Sequence, residues 1–424
     1  MKKIFYFIPL LLLSCATMAK NNGNPQKFKH SEGSSAAFDT ERLARLDTVF
    51  QDLVRKSEIP HAVTFVAHRG NIVHFKAFGW RDKEKNIPCQ RDDIFRMASQ
   101  TKAITATGVL MLMEEGKILL DDPVKKYIPE FAHPQVLVSF NEKDSSYTTR
   151  PANKDITIRH LLTHTSGISY GTDPNNPMMK IFAKKGIPPL NSLDRVTLKE
   201  VVKKLASCPL EHDPGERFTY GMSVDVLGYL IEVVSKMPVD QYFKEKIFMP
   251  LGMNDTYFYV PKEKQNRMVT LYQKVQGKPL QPSSSVLYQT FPYSGAQTLF
   301  STGAGLSGTI EDYAKFCQMI LNKGEFNGKR ILGRKTVELM CRNQVGDLRG
   351  EIGFGLAFDD FRPQYLHLTM ASEGSLRWGG MFGTDYLIDP KEDLILLFYI
   401  NWQTDNSVPD VKVLFHNLVY QALK

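Results

Sequence analysis

Ser99-Gln100-Thr101-Lys102, followed by Ala103-Ile104-Thr105-Ala106-Thr107-Gly108-Val109-Leu110-Met111-Leu112-Met113, is the stretch on which the reading of this chain turns. A lysine three residues after a serine shares its face of a helix, so the two side chains enter the same space. A free serine hydroxyl is a weak nucleophile and needs a neighbouring base to take its proton. The run after Lys102 is apolar on nearly all sides, which predicts a buried helix rather than an amphipathic one. Burial of an amine favours its neutral, proton-accepting form. Ser99 alone among the serines has lysine at this spacing. The competing reading is a core-helix lysine whose head snorkels to solvent.

Upstream, His61 to His68 and Ile72 to Gly79 read as two strands joined by a tight turn at Arg69-Gly70-Asn71. Helical patterns cover Thr101 to Glu115, Ile158 to Thr163, Leu198 to Ala206, Val224 to Lys236 and Val239 to Ile247, with proline and glycine at many junctions. Strand patterns return at Gly383 to Pro390 and Leu394 to Asn401, and Asp410 to Leu423 closes as a helix. Terminal segments that share one sheet around a helical insertion give two lobes with a cleft between them. The expectation is a multi-lobe α+β fold: an antiparallel sheet flanked by helices, from about 38–98 and 300–424, and a mainly α-helical lobe over about 99–299.

The N-terminus carries Lys2 and Lys3, the apolar stretch Ile4 to Leu13, and then Ser14-Cys15. This is the layout of an export signal over residues 1–19. An apolar pair, a small residue and cysteine directly after the apolar core resemble a bacterial lipoprotein processing site, with Cys15 the lipidated residue; cleavage after Ala19 is the competing reading. Residues 20–37, rich in Asn, Gly, Ser and Lys, read as a flexible tether, with one folded unit over 38–424. The expected location is therefore the bacterial cell envelope, with membrane contact through the N-terminal lipid.

Net charge is +8, but basic and acidic residues are interleaved and no nucleic-acid recognition motif is present, so nucleic acid is not an expected partner. Proximity to anionic envelope surfaces explains the bias. Cys89, Cys208, Cys317 and Cys341 are widely separated and never in CxxC spacing, so no metal site is expected.

Tyr220 sits in a Gly-containing loop before an apolar helix, where a phenol near a lysine could share the base role. A packing tyrosine is the alternative. Gly374 to Gly383 opens the late strand pair, and a free amide there could complete an oxyanion hole with the amide of Ser99. Three further patterns carry no chemistry. Gly303-Ala304-Gly305-Leu306-Ser307-Gly308 matches a dinucleotide fingerprint without a βαβ unit around it. His160 and His164 have zinc-protease spacing, but Leu161 stands where the glutamate belongs, so they read as packing and capping residues. No G-x-S-x-G occurs to form a hydrolase nucleophile elbow.

Taken in order, Phe95 to Lys102, Asp121 to Pro129, Ile158 to Gly167, Tyr220 with Asp225-Val226-Leu227-Gly228, Pro250 to Met253 and Gly303 to Ser307 resemble the serine hydrolases related to class C β-lactamases, penicillin-binding proteins and their carboxylesterase branch. The resemblance implies a β-lactamase/transpeptidase-like fold and an acyl-enzyme mechanism without metal or cofactor. It implies Ser99 as nucleophile, Lys102 and Tyr220 as the base system, and the amides of Ser99 and Met381 as the oxyanion hole. Met222 stands where the β-lactamases have the asparagine of Tyr-x-Asn, and Trp378-Gly379-Gly380 where they have Lys-Thr-Gly or His-x-Gly. With Trp378, Gly379, Gly380 and Met222 lining the substrate site, a substrate carboxylate loses its cation, an interaction worth about 1.5 to 3 kcal/mol. The expectation is hydrolysis of a small-molecule ester. Two readings compete with it: action on D-amino acid peptides or β-lactams, and a catalytically silent envelope protein that binds a ligand in the cleft.

Overall fold

The computed structural model describes residues 27–30, 36–404 and 410–424. The export signal, Cys15 and most of the tether lie outside the described residues. Within the stretch read as a tether, however, β1 (Lys29–His30) pairs in parallel with Asn71 and Ile72. Phe28 beside it packs its ring against Phe65 and Phe326 at 5.3 Å. One aromatic residue in a polar stretch anchors residues 28–30, and composition alone hides it.

Helix α1 (Thr40–Arg55) starts at Asp39, whose side chain accepts the Arg42 N–H. Its buried Leu43, Leu46 and Phe50 form one stripe. The hairpin follows as β2 (His61–His68) and β3 (Asn71–Asp82), with Arg69 and Gly70 both at positive φ, the conformation a two-residue hairpin turn requires. Short strand β4 (Ile87–Pro88) pairs with β3. The middle of the chain holds α2 (Thr101–Glu114), α3 (Ile158–Leu162), α4 (Leu198–Ala206) and α5 (Ser223–Ser235). After α6 (Ile310–Leu321), the sheet resumes with β5 (Gly353–Phe354), β6 (Asp359–Asp360), β7 (Leu376–Gly379), β8 (Asp385–Asp389) and β9 (Leu394–Tyr399). Helix α7 (Val411–Tyr420) closes the chain.

The sheet runs β1-β3-β2-β9-β8-β7-β6-β5, antiparallel except at β1, with β4 also on β3. Its central strands are apolar on both faces because both faces are covered. Ile395, Leu397 and Tyr399 of β9 join Val63 and Phe65 of β2 in the core shared with α2, α5 and α6. The alternate residues Leu394, Leu396 and Phe398 join Ala62 and Val66 in a second core under α1 and α7. The mixed α/β architecture with an antiparallel sheet agrees with the sequence expectation.

A buried polar seam fixes how the first sheet strands meet the segment leading to Ser99. His61 is fully buried; its Nδ1 lies 3.0 Å from the Trp80 carbonyl and its Nε2 accepts the Asn401 N–H. Asn401 in turn exchanges hydrogen bonds with the backbone of Arg96, and the buried Arg96 guanidinium donates to the carbonyls of Val269 and Tyr288. His61 and His74 are both held neutral by burial, with their pKa lowered from 6.5 to about 4. A histidine depressed in the folded state binds a proton more readily in the unfolded chain between those two values, so folding stability is lost as pH falls through that window. We therefore expect the urea midpoint, followed by circular dichroism, to drop progressively between about pH 6.5 and pH 4; a midpoint constant across that window would contradict the buried neutral histidines.

Candidate active site

Between Asp93 and Leu110 every residue is buried except Ser99, which is half-exposed. The chain arrives through Phe95–Arg96, a short strand paired with Ser307–Gly308, and turns sharply into α2. Ala98 makes the turn with φ +46°, a left-handed conformation that costs a residue with a Cβ some free energy and that clusters at functional sites. The surroundings hold it there. Met97 donates to the Leu306 carbonyl, the Thr101 hydroxyl donates to the Ala98 carbonyl at 2.7 Å, and Tyr313 donates to the Gln100 carbonyl. A strand-to-helix elbow thus exists without the G-x-S-x-G pattern.

Lys102 is 3% exposed, so its amine has left water and must find partners in the protein. Its Nζ lies 3.2 Å from Ser99 Oγ, 2.8 Å from the Tyr170 hydroxyl and 2.7 Å from the Gly303 carbonyl. The snorkelling alternative is thereby removed: the side chain points inward. Tyr220 stands face-on to the same amine, with Lys102 Nζ 4.7 Å from its ring centroid. Its hydroxyl is buried with no hydrogen-bond partner among the described residues. Gly221 permits this placement, because a Cβ there would collide with the carbonyl of Ile168.

Nothing in the sequence singles out Tyr170. It lies beyond the Thr163 to Gly167 segment, and no spacing along the chain ties it to Lys102. Its ring packs on Tyr220 at 5.4 Å. Its pKa is raised well above the ordinary phenol value, first by burial and then by Tyr220 and Asp225, with Ser99 opposing. His164 packs on Tyr220 at 4.6 Å and is kept neutral by burial, with Lys102 adding to the effect. His160 caps α3, its Nδ1 accepting the Thr157 N–H. Neither histidine faces a metal site, and among the described residues no group of His, Cys, Asp and Glu is placed to hold one.

The third wall comes from β7. Trp378 is half-buried and packs on Tyr220 at 5.5 Å. Gly380 is pressed against the elbow: a Cβ on it would clash with the Met97 carbonyl and stand 2.5 Å from Thr384 Oγ1. Thr384 itself donates to that Met97 carbonyl. The close approach sets Met381, next in the chain, alongside the residues leading to Ser99. Met222 departs from the sequence expectation of a substrate-lining residue. It is 2% exposed and belongs to the core, because its side chain turns inward at the start of α5. The glycines of Gly303 to Gly308 likewise have a structural task, since Gly303 supplies the carbonyl that takes Lys102.

A serine, an inward-pointing lysine and a tyrosine thus meet where the antiparallel sheet adjoins helices α2 and α5. The Beta-lactamase family matches residues 46–419, and the chain belongs to that family. It is 32% identical over 363 residues to protein Rv1367c of Mycobacterium tuberculosis, covering 82% of this chain and 87% of the relative. It is 29% identical over 398 residues to esterase EstB of Burkholderia gladioli, covering 89% and 95%. The solved structure of EstCE1, described as a hydrolase with promiscuous acyltransferase activity, superposes with a TM-score of 0.75 at 26% identity, covering 90% of this chain and 99% of that one. The chain is thus a serine hydrolase, carboxylesterase-like within its family.

Gly380→Ala tests the packing of β7 on the elbow. The added methyl has to push strand and elbow apart, and misplacement of reacting groups by about 1 Å can cost about 100-fold. We expect fluorophosphonate labelling of Ser99 to slow at least about tenfold with an unchanged circular dichroism spectrum; labelling at the wild-type rate would show that the contact does not shape the site.

Proposed function

We propose that the protein hydrolyses carboxylic esters of small or medium acyl groups through an acyl intermediate on Ser99. One observation carries the reading: between Asp93 and Leu110 the one residue that is not buried is a serine whose Oγ lies 3.2 Å from a buried lysine amine.

The three contacts of Lys102 support one direction for the proton. The Gly303 carbonyl can only accept, so it takes one N–H, and the Tyr170 oxygen accepts a second. In the neutral amine the remaining position is the lone pair, and it faces Ser99 Oγ. Ser99 then gives its proton to Lys102 as its oxygen attacks the ester carbonyl. The developing oxyanion is received by the amides of Ser99 and Met381, donors of a kind that contribute about 3 kcal/mol each. Collapse expels the alcohol, which takes a proton back from the Lys102 and Tyr220 pair. Water repeats the sequence on the acyl-serine and releases the acid. An alcohol in place of that water gives acyl transfer, a second reading favoured by the acyltransferase activity described for EstCE1. Trp378 in place of a cationic third-motif residue favours neutral esters over β-lactams or D-peptides. Export, and anchoring through a lipid on Cys15, complete the proposal for an enzyme of the bacterial envelope.

With purified protein and p-nitrophenyl butyrate, Ser99→Ala is expected to abolish turnover. Tyr220→Phe is expected to lower kcat by about 100-fold, the range of a lost general acid-base group. Nitrocefin should be turned over weakly or not at all. Unchanged ester turnover in Ser99→Ala would end the proposal, and dominant cleavage of D-alanyl peptides would replace the substrate class.

A further inference from the structure

Asp225 lies in the first turn of α5 and is fully buried. Burying a carboxylate is costly unless it is paired or hydrogen-bonded, so its position calls for a reason. Its Oδ1 accepts the Ser301 hydroxyl at 2.9 Å and the Gly303 N–H at 3.2 Å. The same turn is pinned on both sides of that contact. Thr302 Oγ1 donates to the Val224 carbonyl of α5, and the Thr302 carbonyl accepts from Thr105 of α2. The outcome of this bracing is the direction of one group: the Gly303 carbonyl, which holds Lys102 Nζ at 2.7 Å. Asp225 Oδ2 has no hydrogen-bond partner among the described residues and faces Gly303 so closely that a Cβ there would lie 2.5 Å away.

We propose that Asp225 is a positioning residue for Lys102: it orients the Gly303 carbonyl that fixes the amine against Ser99, and its buried charge balances the ammonium formed when Lys102 takes the serine proton. The titratable groups around the amine are Tyr170, Tyr220, His164 and Asp225. Asp225 is the one carboxylate in that set. Its pKa is raised by burial, and Lys102 is the largest influence pulling it back down, so the two groups feel each other's charge. Nothing in the spacing of the chain announces this role, because Asp225 reaches Lys102 only through a turn contributed from residues 301–303.

The inference rests on Lys102 serving as the base for Ser99. Its test compares full-length wild type, Ser99→Ala, Asp225→Asn and Asp225→Ala on p-nitrophenyl butyrate over a range of pH, with thermal melting of each. Asn keeps an oxygen to accept from Ser301 and Gly303 but removes the charge. Asp225→Asn is expected to melt near the wild-type temperature while the acidic limb of its kcat/KM profile moves about one unit to lower pH, since the ammonium loses a nearby opposite charge. Asp225→Ala, which also releases the turn, is expected to lower kcat about 100-fold with KM changed less than about threefold. If Asp225→Ala does not fold, the Asp225→Asn profile decides alone. A profile superimposable on wild type, or a folded Asp225→Ala with wild-type kcat, overturns the proposal. Activity surviving in Ser99→Ala sinks the Ser99 mechanism and this inference with it, whereas an inert Ser99→Ala beside an unshifted Asp225→Asn removes only the role of Asp225.

Discussion

The arrangement depends on a lysine amine held out of water. Lys102 sits on a helix buried on almost every side, and an amine so placed must satisfy its hydrogens within the protein. The groups it meets come from three separate segments: Tyr170 after α3, Gly303 before α6, and Ser99 in the turn just before α2. Each contact is ordinary in length. Their convergence is what converts a burial cost into a defined geometry, because the acceptor-only carbonyl and the phenol claim two directions and leave the third for the serine.

The fold exists around that point. The sheet, covered on both faces by separate cores, provides the rigid wall from which Gly380 and Trp378 approach the elbow. The helical segments provide α2 and α5, which face each other across the turn at residues 301–303. The strained backbone at Ala98 is held by hydrogen bonds on both sides, from the Thr101 hydroxyl to the Ala98 carbonyl and from the Tyr313 hydroxyl to the Gln100 carbonyl. Tyr170 and Tyr220 stand against the amine, Tyr220 packs in turn on His164 and Trp378, and the Arg349 guanidinium lies over the Trp378 ring at 5.5 Å.

Much of this was legible in the sequence wherever the signal is local. The two-residue turn at Arg69-Gly70 declares its hairpin, the apolar run after Lys102 declares a buried helix, and a three-residue spacing puts Ser99 beside Lys102. Tyr220 was legible through its loop and through family resemblance. What remained hidden is contact between distant segments. Tyr170 looks like any loop tyrosine until the chain is folded, Asp225 looks like the polar start of a helix, and Gly303 looks like part of a nucleotide fingerprint. Analogy with an asparagine puts Met222 at the substrate, but an apolar side chain in that position turns to the core. Phe28 failed as a signal for the opposite reason, one apolar residue being lost in a polar average.

The most direct measurement of the central claim is mass spectrometry of the acyl-enzyme. Protein mixed with p-nitrophenyl butyrate, quenched in acid within the burst phase and digested, should carry one butyryl group on the peptide containing Ser99 and none elsewhere. An unmodified Ser99 peptide during active turnover, or a butyryl group on another side chain, would contradict the account.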